Sequence, residues 1–153
     1  MTWVLDTCVL LDLVCNDKIF ADSASRAIQS KLDDALTIAP ITYVELAPQF
    51  LGNVERQNEF LRDLWIECDF GGNMNSVLAA HHAWYEHVLR KRKGEVSKRP
   101  IADVMIGAYA LSKGGLITRN EDDFRSLYPT LKIFNPVAGG EAAKASSARS
   151  TRC

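Results

Sequence analysis

The chain has 153 residues, of which 47% are hydrophobic and 24% charged, and its formal net charge is -1 at pH 7. This composition is typical of one soluble globular domain, and the net charge excludes attraction of polyanions by the molecule as a whole, so any affinity for nucleic acid must come from local patches. No apolar run approaches transmembrane length, and Asp6 interrupts the apolar start too early for a signal peptide. We therefore expect a cytoplasmic protein without a membrane segment.

Strand-like and helix-like patterns alternate along the chain. Short apolar runs predict strands, and apolar residues at three- and four-residue spacing predict helices. This alternation predicts an α/β domain with a mainly parallel sheet of four to five strands. In chain order, the predictions are a strand at 3–5, helices at 9–14 and 23–36, a strand at 36–39, helices at 42–50 and 54–67, a strand at 68–70, helices at 77–93 and 100–113, a strand at 116–118, a helix at 122–128 and a strand at 131–134.

The composition changes after Pro136, where an Ala-, Ser- and Gly-rich segment has no aromatic residue and no apolar period. Residues 1–136 are therefore assigned to the domain and residues 137–153 to a flexible tail without a core of its own. The four cysteines form no C-x-x-C pair. We expect Cys8, Cys15 and Cys68 to be small buried residues in a reducing compartment, and Cys153 to lie in the tail.

Acidic residues follow three of the predicted strands. Asp6 ends the first strand, Glu45 lies a few residues after the second, and several acids follow Thr118. Ligands in α/β folds collect at the carboxyl ends of the strands. These acids are therefore candidates for one site at that edge of the sheet.

Each acid also has a purely structural interpretation. Asp6 could accept hydrogen bonds as a helix N-cap. Thr42 and Glu45 have the spacing of a capping box, and one carboxylate can hardly serve both a cap and a cation. Asp103 lies in the first turn of an apolar helix, where the helix dipole favours an acid. A glycine costs about 1 kcal/mol in a helix, and close packing of this helix on the sheet would explain Gly107.

The acid-rich start of the last helix leaves several choices open. An acidic first turn is common in helices, and Asn120 has the residue type of an N-cap. The chemistry could use Asn120, Asp122 or Asp123, and their spacing does not decide between them.

Taken together, these segments resemble the PIN-domain family, specifically the VapC-type toxins of bacterial toxin–antitoxin pairs. The resemblance spans nearly the whole chain up to Pro136, in the family's order. It rests on residues 4–11 (VLDTCVLL), 42–46 (TYVEL), 103–110 (DVMIGAYA) and 116–124 (LITRNEDDF). The resemblance implies a three-layer α/β/α sandwich around the parallel sheet.

The resemblance also implies a set of catalytic residues, which are Asp6, Glu45, Asp103, Asn120 and Asp123. Of these, Asp6, Asp103 and Glu45 would hold the metal. Two positions depart from the family pattern. An Asn stands at the fourth acidic position, and Cys8 replaces the family's usual Asn.

Carboxylates without a histidine or cysteine partner favour Mg²⁺ or Mn²⁺ over Zn²⁺. With this metal preference, the resemblance implies a Mg²⁺- or Mn²⁺-dependent endoribonuclease that acts as the toxin of a toxin–antitoxin pair and leaves 5′-phosphate and 3′-hydroxyl ends. One alternative is a catalytically weakened PIN-like module that binds RNA or protein. Another is a phosphatase with a nucleophilic Asp, which is disfavoured because Cys8 stands where its second acid should be.

The RNA substrate needs basic groups near the acids. The densest basic segment lies just before the Asp103 helix, although a solvated helix end would look the same. Transfer or ribosomal RNA is a family-level expectation, together with a VapB-like antitoxin and a homodimer. The residues assigned to substrate binding are Thr7, Thr118, Arg119, Arg92, Lys93 and Arg99.

Overall fold

A five-stranded sheet, with every strand pair parallel, forms the centre of the molecule. The computed structural model describes residues 1–68, 71, 74–95 and 101–138. Its elements are β1 Thr2–Leu5, α1 Thr7–Val14, α2 Ala21–Gln29, β2 Ala35–Ile38, α3 Pro40–Leu46, a 3₁₀ helix Ala47–Phe50, α4 Val54–Asp63, β3 Ile66–Glu67, α5 Met74–Arg92, α6 Ile101–Lys113, β4 Gly114–Ile117, α7 Glu121–Leu127 and β5 Ile133–Phe134.

The strand order is β3-β2-β1-β4-β5. The chain builds outward from β1 on one side and then returns to place β4 on the other. The order therefore reverses between β1 and β4, which is where ligands bind in open α/β sheets. Leu5 is in register with both Ile38 and Ile117, so three strands end side by side at this edge.

Helices cover both faces of the sheet because its strands alternate their apolar side chains. Trp3 and Leu5 point to a core formed with α1, α2 and α4. Val4 and Leu116 point to the opposite core, formed with α6 and α7. The predicted three-layer α/β/α sandwich with a parallel sheet is confirmed. In the described part of the chain, no helix has both the length and the apolar character needed to cross a membrane.

Two predicted helices end earlier than their apolar pattern indicated. The helix predicted to reach residue 36 ends at Gln29, because β2 must begin at Ala35 to pair with β1. The helix predicted to reach residue 67 ends at Asp63, and Trp65 has a left-handed φ of 58°. Buried Ile66 then pairs with β2, so the strand expected at 68–70 lies at 66–67. Residues 69 and 70 lie outside the described residues.

The cysteine predictions are confirmed only in part. Cys8 is buried, Cys15 is half-buried and Cys68 is exposed, so the expectation for Cys68 is wrong. Of the predicted tail, Val137 is buried at 4% exposure, whereas residues 139–153 lie outside the described part of the chain.

Candidate active site

Asp6 lies at the carboxyl end of β1, at the point where the strand order reverses. Its backbone amide donates to the carbonyl of Ile117 on β4 at 3.0 Å, which joins the two strand ends. Its Oδ2 accepts hydrogen bonds from Thr118 Oγ1 at 2.6 Å and from Cys8 Sγ at 3.0 Å. Asp6 occupies the N-cap position of α1 but makes no side-chain cap hydrogen bond. Its carboxylate is directed to Thr118 instead.

Burial raises the pKa of Asp6, although the hydrogen bonds from Thr118 and Cys8 act to lower it. The residue is only 3% exposed. Within the described part of the chain, no Lys or Arg forms an ion pair with Asp6. A buried carboxylate in this situation is either protonated or neutralised by a cation from outside the chain.

Glu45 is connected to the Asp6 region through Thr7. The Thr7 hydroxyl donates to Oε2 of Glu45 at 2.5 Å, and its oxygen accepts from the Thr42 hydroxyl at 3.3 Å. The N-cap of α3 is Ala39, so buried Thr42 lies inside the helix and the capping box does not form. The Glu45 carboxylate is therefore available at the rim of the site rather than committed to a cap.

Asp103 is half-buried in the first turn of α6. The helix ends at Lys113, directly before β4 starts, so its beginning lies toward the carboxyl edge of the sheet. Ten helical residues rise about 15 Å, and the four steps from the start of β4 to Thr118 rise about 13 Å. Because these lengths are similar and α6 also packs against β1 and α3, we expect Asp103 near the level of Thr118.

Gly107 allows a close contact of α6, but with α7 and not with the sheet as predicted. A Cβ at this position would overlap the Tyr128 ring and lie 3.3 Å from Phe124 Cδ1. The Tyr128 hydroxyl donates to the Val104 carbonyl at 2.6 Å, which locks the two helices together. Tyr128 directly follows α7 and packs on α6, so this contact holds α7, with its acidic first turn, against α6.

Asn120 and Asp123 lie at the start of α7. Asn120 is exposed at the N-cap position but makes no side-chain cap hydrogen bond, and its backbone amide donates to Thr118 Oγ1 at 3.0 Å. Asp123 is half-buried in the first turn. Both residues follow β4 at the same edge as Asp6. Their use in the site stays a prediction.

Arg119 points into the protein. It forms a two-point ion pair with Asp12 on α1, and the two side chains are only 7% and 6% exposed. Burial raises the pKa of Asp12, and the hydrogen bonds and charge of Arg119 oppose this rise. Contact between Arg119 and RNA would require this pair to open.

The predicted basic segment is described only in part. Arg92 and Lys93 are exposed at the end of α5. This end leads through residues 93–100 to the start of α6, where Asp103 lies. Arg99 lies outside the described residues. Binding of RNA by these side chains stays a prediction.

The oxygen donors of this edge are of the type that Mg²⁺ and Mn²⁺ prefer. Buried Asp6, which has no ion pair to a described residue, fits a cation-binding role, and the neighbouring Thr7 binds Glu45. Among the described residues, no three Asp, Glu, His or Cys side chains are grouped closely enough to hold an ion. The ligand set Asp6, Asp103 and Glu45 therefore stays a prediction.

The sequence assigns no role to Asp12, and it predicts Cys8 as a buried residue without a contact to Asp6. A signal for Asp12 was present, since it is a lone acid within the apolar run Val9–Val14 and lies one helical turn after Cys8. Its partner Arg119 is 107 positions away, so only the fold reveals the pair.

The PIN domain family model matches residues 3–128 of this sequence. The chain belongs to the PIN domain family. A chain of the VapBC-1 structure from nontypeable Haemophilus influenzae matches at 26% identity and a TM-score of 0.64, covering 90% of this chain and 99% of that chain. A chain of VapBC2 from Rickettsia felis, solved bound to a DNA fragment from the promoter, matches at 19% identity and a TM-score of 0.60, covering 88% and 98%. No curated protein matches the sequence significantly. The fold is thus that of a VapC-type PIN domain.

Proposed function

We propose that this PIN domain is a Mg²⁺- or Mn²⁺-dependent endoribonuclease that acts in the cytoplasm as the toxin of a toxin–antitoxin pair. One observation carries the proposal. The buried Asp6 carboxylate lies at the strand-order reversal, accepts a hydrogen bond from Thr118, and has no ion pair to a described residue. A carboxylate in this position suits cation binding more than stabilisation of the fold.

The residues of the chain would divide the work as follows. Asp6 and Asp103 would hold the principal cation, and Glu45 would complete the ligands or orient the attacking water. Asn120 or Asp123 would assist the substrate side. The bound ion would lower the pKa of its water and stabilise charge on the phosphoryl oxygens. Thr118 and Thr7 would keep the Asp6 and Glu45 carboxylates in place.

Cleavage of a labelled RNA with Mn²⁺, Mg²⁺ or EDTA tests the activity. We expect cleavage with either metal, none with EDTA, and products with 5′-phosphate and 3′-hydroxyl ends. Asp6→Asn and Asp103→Asn should abolish cleavage, whereas Asp63→Asn, at the exposed end of α4, should not. Unchanged cleavage in Asp6→Asn would overturn the proposal. RNA binding without cleavage by the wild type would favour the weakened binding module.

The toxin role requires an inhibitor. Both solved neighbours are VapBC proteins. We propose a VapB-like antitoxin that covers the acidic edge with a helix or an extended tail, and a homodimer of this chain. Coexpression with the short neighbouring reading frame should relieve growth inhibition and yield a stable complex on size exclusion with light scattering. A harmless monomer expressed alone would contradict this role. Mapping cut sites in total RNA would identify the target, with transfer and ribosomal RNA as first candidates.

A further inference from the structure

A buried ion pair lies directly beside the candidate active site. Arg119 Nε donates to Asp12 Oδ2 at 2.9 Å, and Arg119 Nη2 donates to Asp12 Oδ1 at 3.2 Å. The guanidinium carbon also lies 4.4 Å from the ring centroid of Phe20, which is 5% exposed. Two guanidinium donors and one of its faces are thus engaged inside the protein.

The residues on either side of Arg119 make the contacts that fix Asp6. Thr118 donates to the Asp6 carboxylate at 2.6 Å, and the Asn120 amide donates to the Thr118 hydroxyl at 3.0 Å. The ion pair joins the residue between them to α1. Since Asp6 is the N-cap residue of α1, the same helix anchors both the carboxylate and the loop that holds it.

Cys8 adds a second connection between the same parts. It lies one turn before Asp12 on α1, and its thiol donates to Asp6 at 3.0 Å. Its Sγ is also 3.8 Å from Thr118 Oγ1. One face of α1 therefore contacts Asp6, Thr118 and Arg119 in succession.

Orientation, more than net stability, is what this ion pair provides. Two charges removed from water lose hydration that their attraction repays only in part, and apolar side chains of similar volume often stabilise as well. A planar guanidinium bound at two points instead fixes direction, which the single ammonium of Lys does not. A pair of this kind suits a loop whose hydroxyl must meet one carboxylate oxygen.

We propose that Asp12 and Arg119 are positioning residues that hold Thr118 on Asp6 and so orient the Asp6 carboxylate for cation binding. This inference rests on the proposed function. It gives Arg119 a different role from the RNA contact predicted from the sequence. No part of the proposal needs Arg119 to leave Asp12 during the reaction.

The main test replaces the pair by apolar residues, in Asp12→Leu with Arg119→Met, which leaves the net charge unchanged. We expect a folded protein whose Kd for Mn²⁺, measured by calorimetry, rises by about 10- to 100-fold, the usual effect of losing a group that orients a metal ligand. The Asn120 amide should exchange faster with D₂O in the metal-free protein. In both measurements, Arg119→Lys should give values between those of the wild type and the double variant, because it keeps the positive charge without the planar guanidinium.

Arg125→Met is the matched control. Arg125 pairs with Glu121 on α7, five residues past Asn120 in the chain, but the two side chains are 48% and 30% exposed. This variant should leave the Mn²⁺ affinity and Asn120 exchange unchanged. If the double variant does not fold, Arg119→Lys decides by the same two measurements. Wild-type Mn²⁺ affinity and Asn120 protection in the folded variant tested would overturn the inference.

RNA binding separates positioning from direct contact. Fluorescence anisotropy of a labelled single-stranded RNA in EDTA should give the same Kd and salt dependence for the wild type and the double variant. A salt slope reduced by about 0.7 would show a lost phosphate contact and overturn the inference. Absence of Mn²⁺ binding by the wild type would instead overturn the proposed function, while Asn120 exchange would still report whether the pair orders the loop.

Discussion

Two aspartates at opposite edges of the sheet show opposite electrostatic behaviour. Asp34, just before β2 at the amino edge, pairs with the N-terminal ammonium at 3.1 Å and accepts a hydrogen bond from Trp3 Nε1 at 3.0 Å. These two interactions hold the pKa of Asp34 below its ordinary value. Asp6, at the carboxyl edge, also accepts two side-chain hydrogen bonds, yet burial holds its pKa above the ordinary value.

The surroundings of the two edges explain this difference. At the amino edge, Lys31 lies 4.9 Å from the centroid of the Trp3 ring, and its charge acts together with that of the N-terminal ammonium to lower the pKa of Asp34. At the carboxyl edge, Arg119 pairs with Asp12 and Arg125 pairs with Glu121, and neither of these described cations pairs with Asp6. Asp34 at the amino edge is thus paired with a cation of the chain, whereas Asp6 at the carboxyl edge has no ion pair to a described residue and suits a cation from outside.

Asp6→Asn should have the largest effect. We expect RNA cleavage to fall by more than about 100-fold, since removing even a group that orients a metal ligand lowers metal affinity or activity by about 10- to 100-fold. The free energy of unfolding in EDTA should stay equal or rise, because a buried charge is removed while a polar side chain remains. Denaturant unfolding and a cleavage assay measure both. A large loss of stability in EDTA would instead make Asp6 a structural residue.

The pH dependence of stability should separate the two aspartates by sign. The folded-state pKa of Asp6 is raised above its ordinary value of 3.8. Its stabilising contribution to the free energy of unfolding is therefore fully present below pH 3.8 and is lost as the pH rises through the folded-state pKa. The pKa of Asp34 is lowered from 3.8. Its stabilising contribution to the free energy of unfolding is therefore present above pH 3.8 and is lost as the pH falls through the lowered pKa. Unfolding of wild type, Asp6→Asn and Asp34→Asn in EDTA from about pH 3 to pH 7 should show these opposite slopes. Parallel curves would remove the distinction between the two edges.

Thr118→Val should have the next largest effect. The variant removes the hydroxyl that holds Asp6. We therefore expect Mn²⁺ affinity or the cleavage rate to fall by about 10- to 100-fold, as when other groups that orient a metal ligand are removed. Thr37→Val is the control, because Thr37 is equally buried and donates to the Glu67 carbonyl at 2.7 Å, away from the site. Each variant should lose about 1 kcal/mol of stability from its hydrogen bond. Equal losses of activity in both would show a general effect of folding.

Cys8→Ala should lower Mn²⁺ affinity less than Thr118→Val does. A thiol is a weaker donor than a hydroxyl, so its hydrogen bond to Asp6 contributes less. Calorimetric titration of both variants gives the ranking. A larger effect for Cys8→Ala would mean that the thiol, and not the Thr118 hydroxyl, is the main support of the carboxylate.

Asp34→Asn should have the smallest effect on function. We expect unchanged cleavage and a small fall in melting temperature, because this side chain serves only contacts at the amino edge. Activity and thermal unfolding of the purified variant test this. Loss of cleavage with an unchanged melting temperature would show that the amino edge also takes part in catalysis, and would contradict a purely structural role for Asp34.

The alternation of strand-like and helix-like patterns predicts the α/β domain and its parallel sheet, because these patterns depend on local chain geometry, whereas the three layers follow from the family resemblance. Asp6 and Thr118 were both placed at strand ends for this reason. Helix ends were less predictable, since the need of β2 and β3 to pair with their neighbours ended two helices early. The ordered set of motifs also predicted the family correctly, which the PIN domain match confirms.

The tertiary structure decided which polar groups meet. Thr42 and Glu45 have the spacing of a cap, yet Glu45 pairs with Thr7, 38 positions away. Arg119 has the residue type of an RNA contact, yet it pairs with Asp12. Hydrogen bonds and ion pairs depend on distance in space, and residues far apart in the chain are brought together only when the sheet and its two cores have formed.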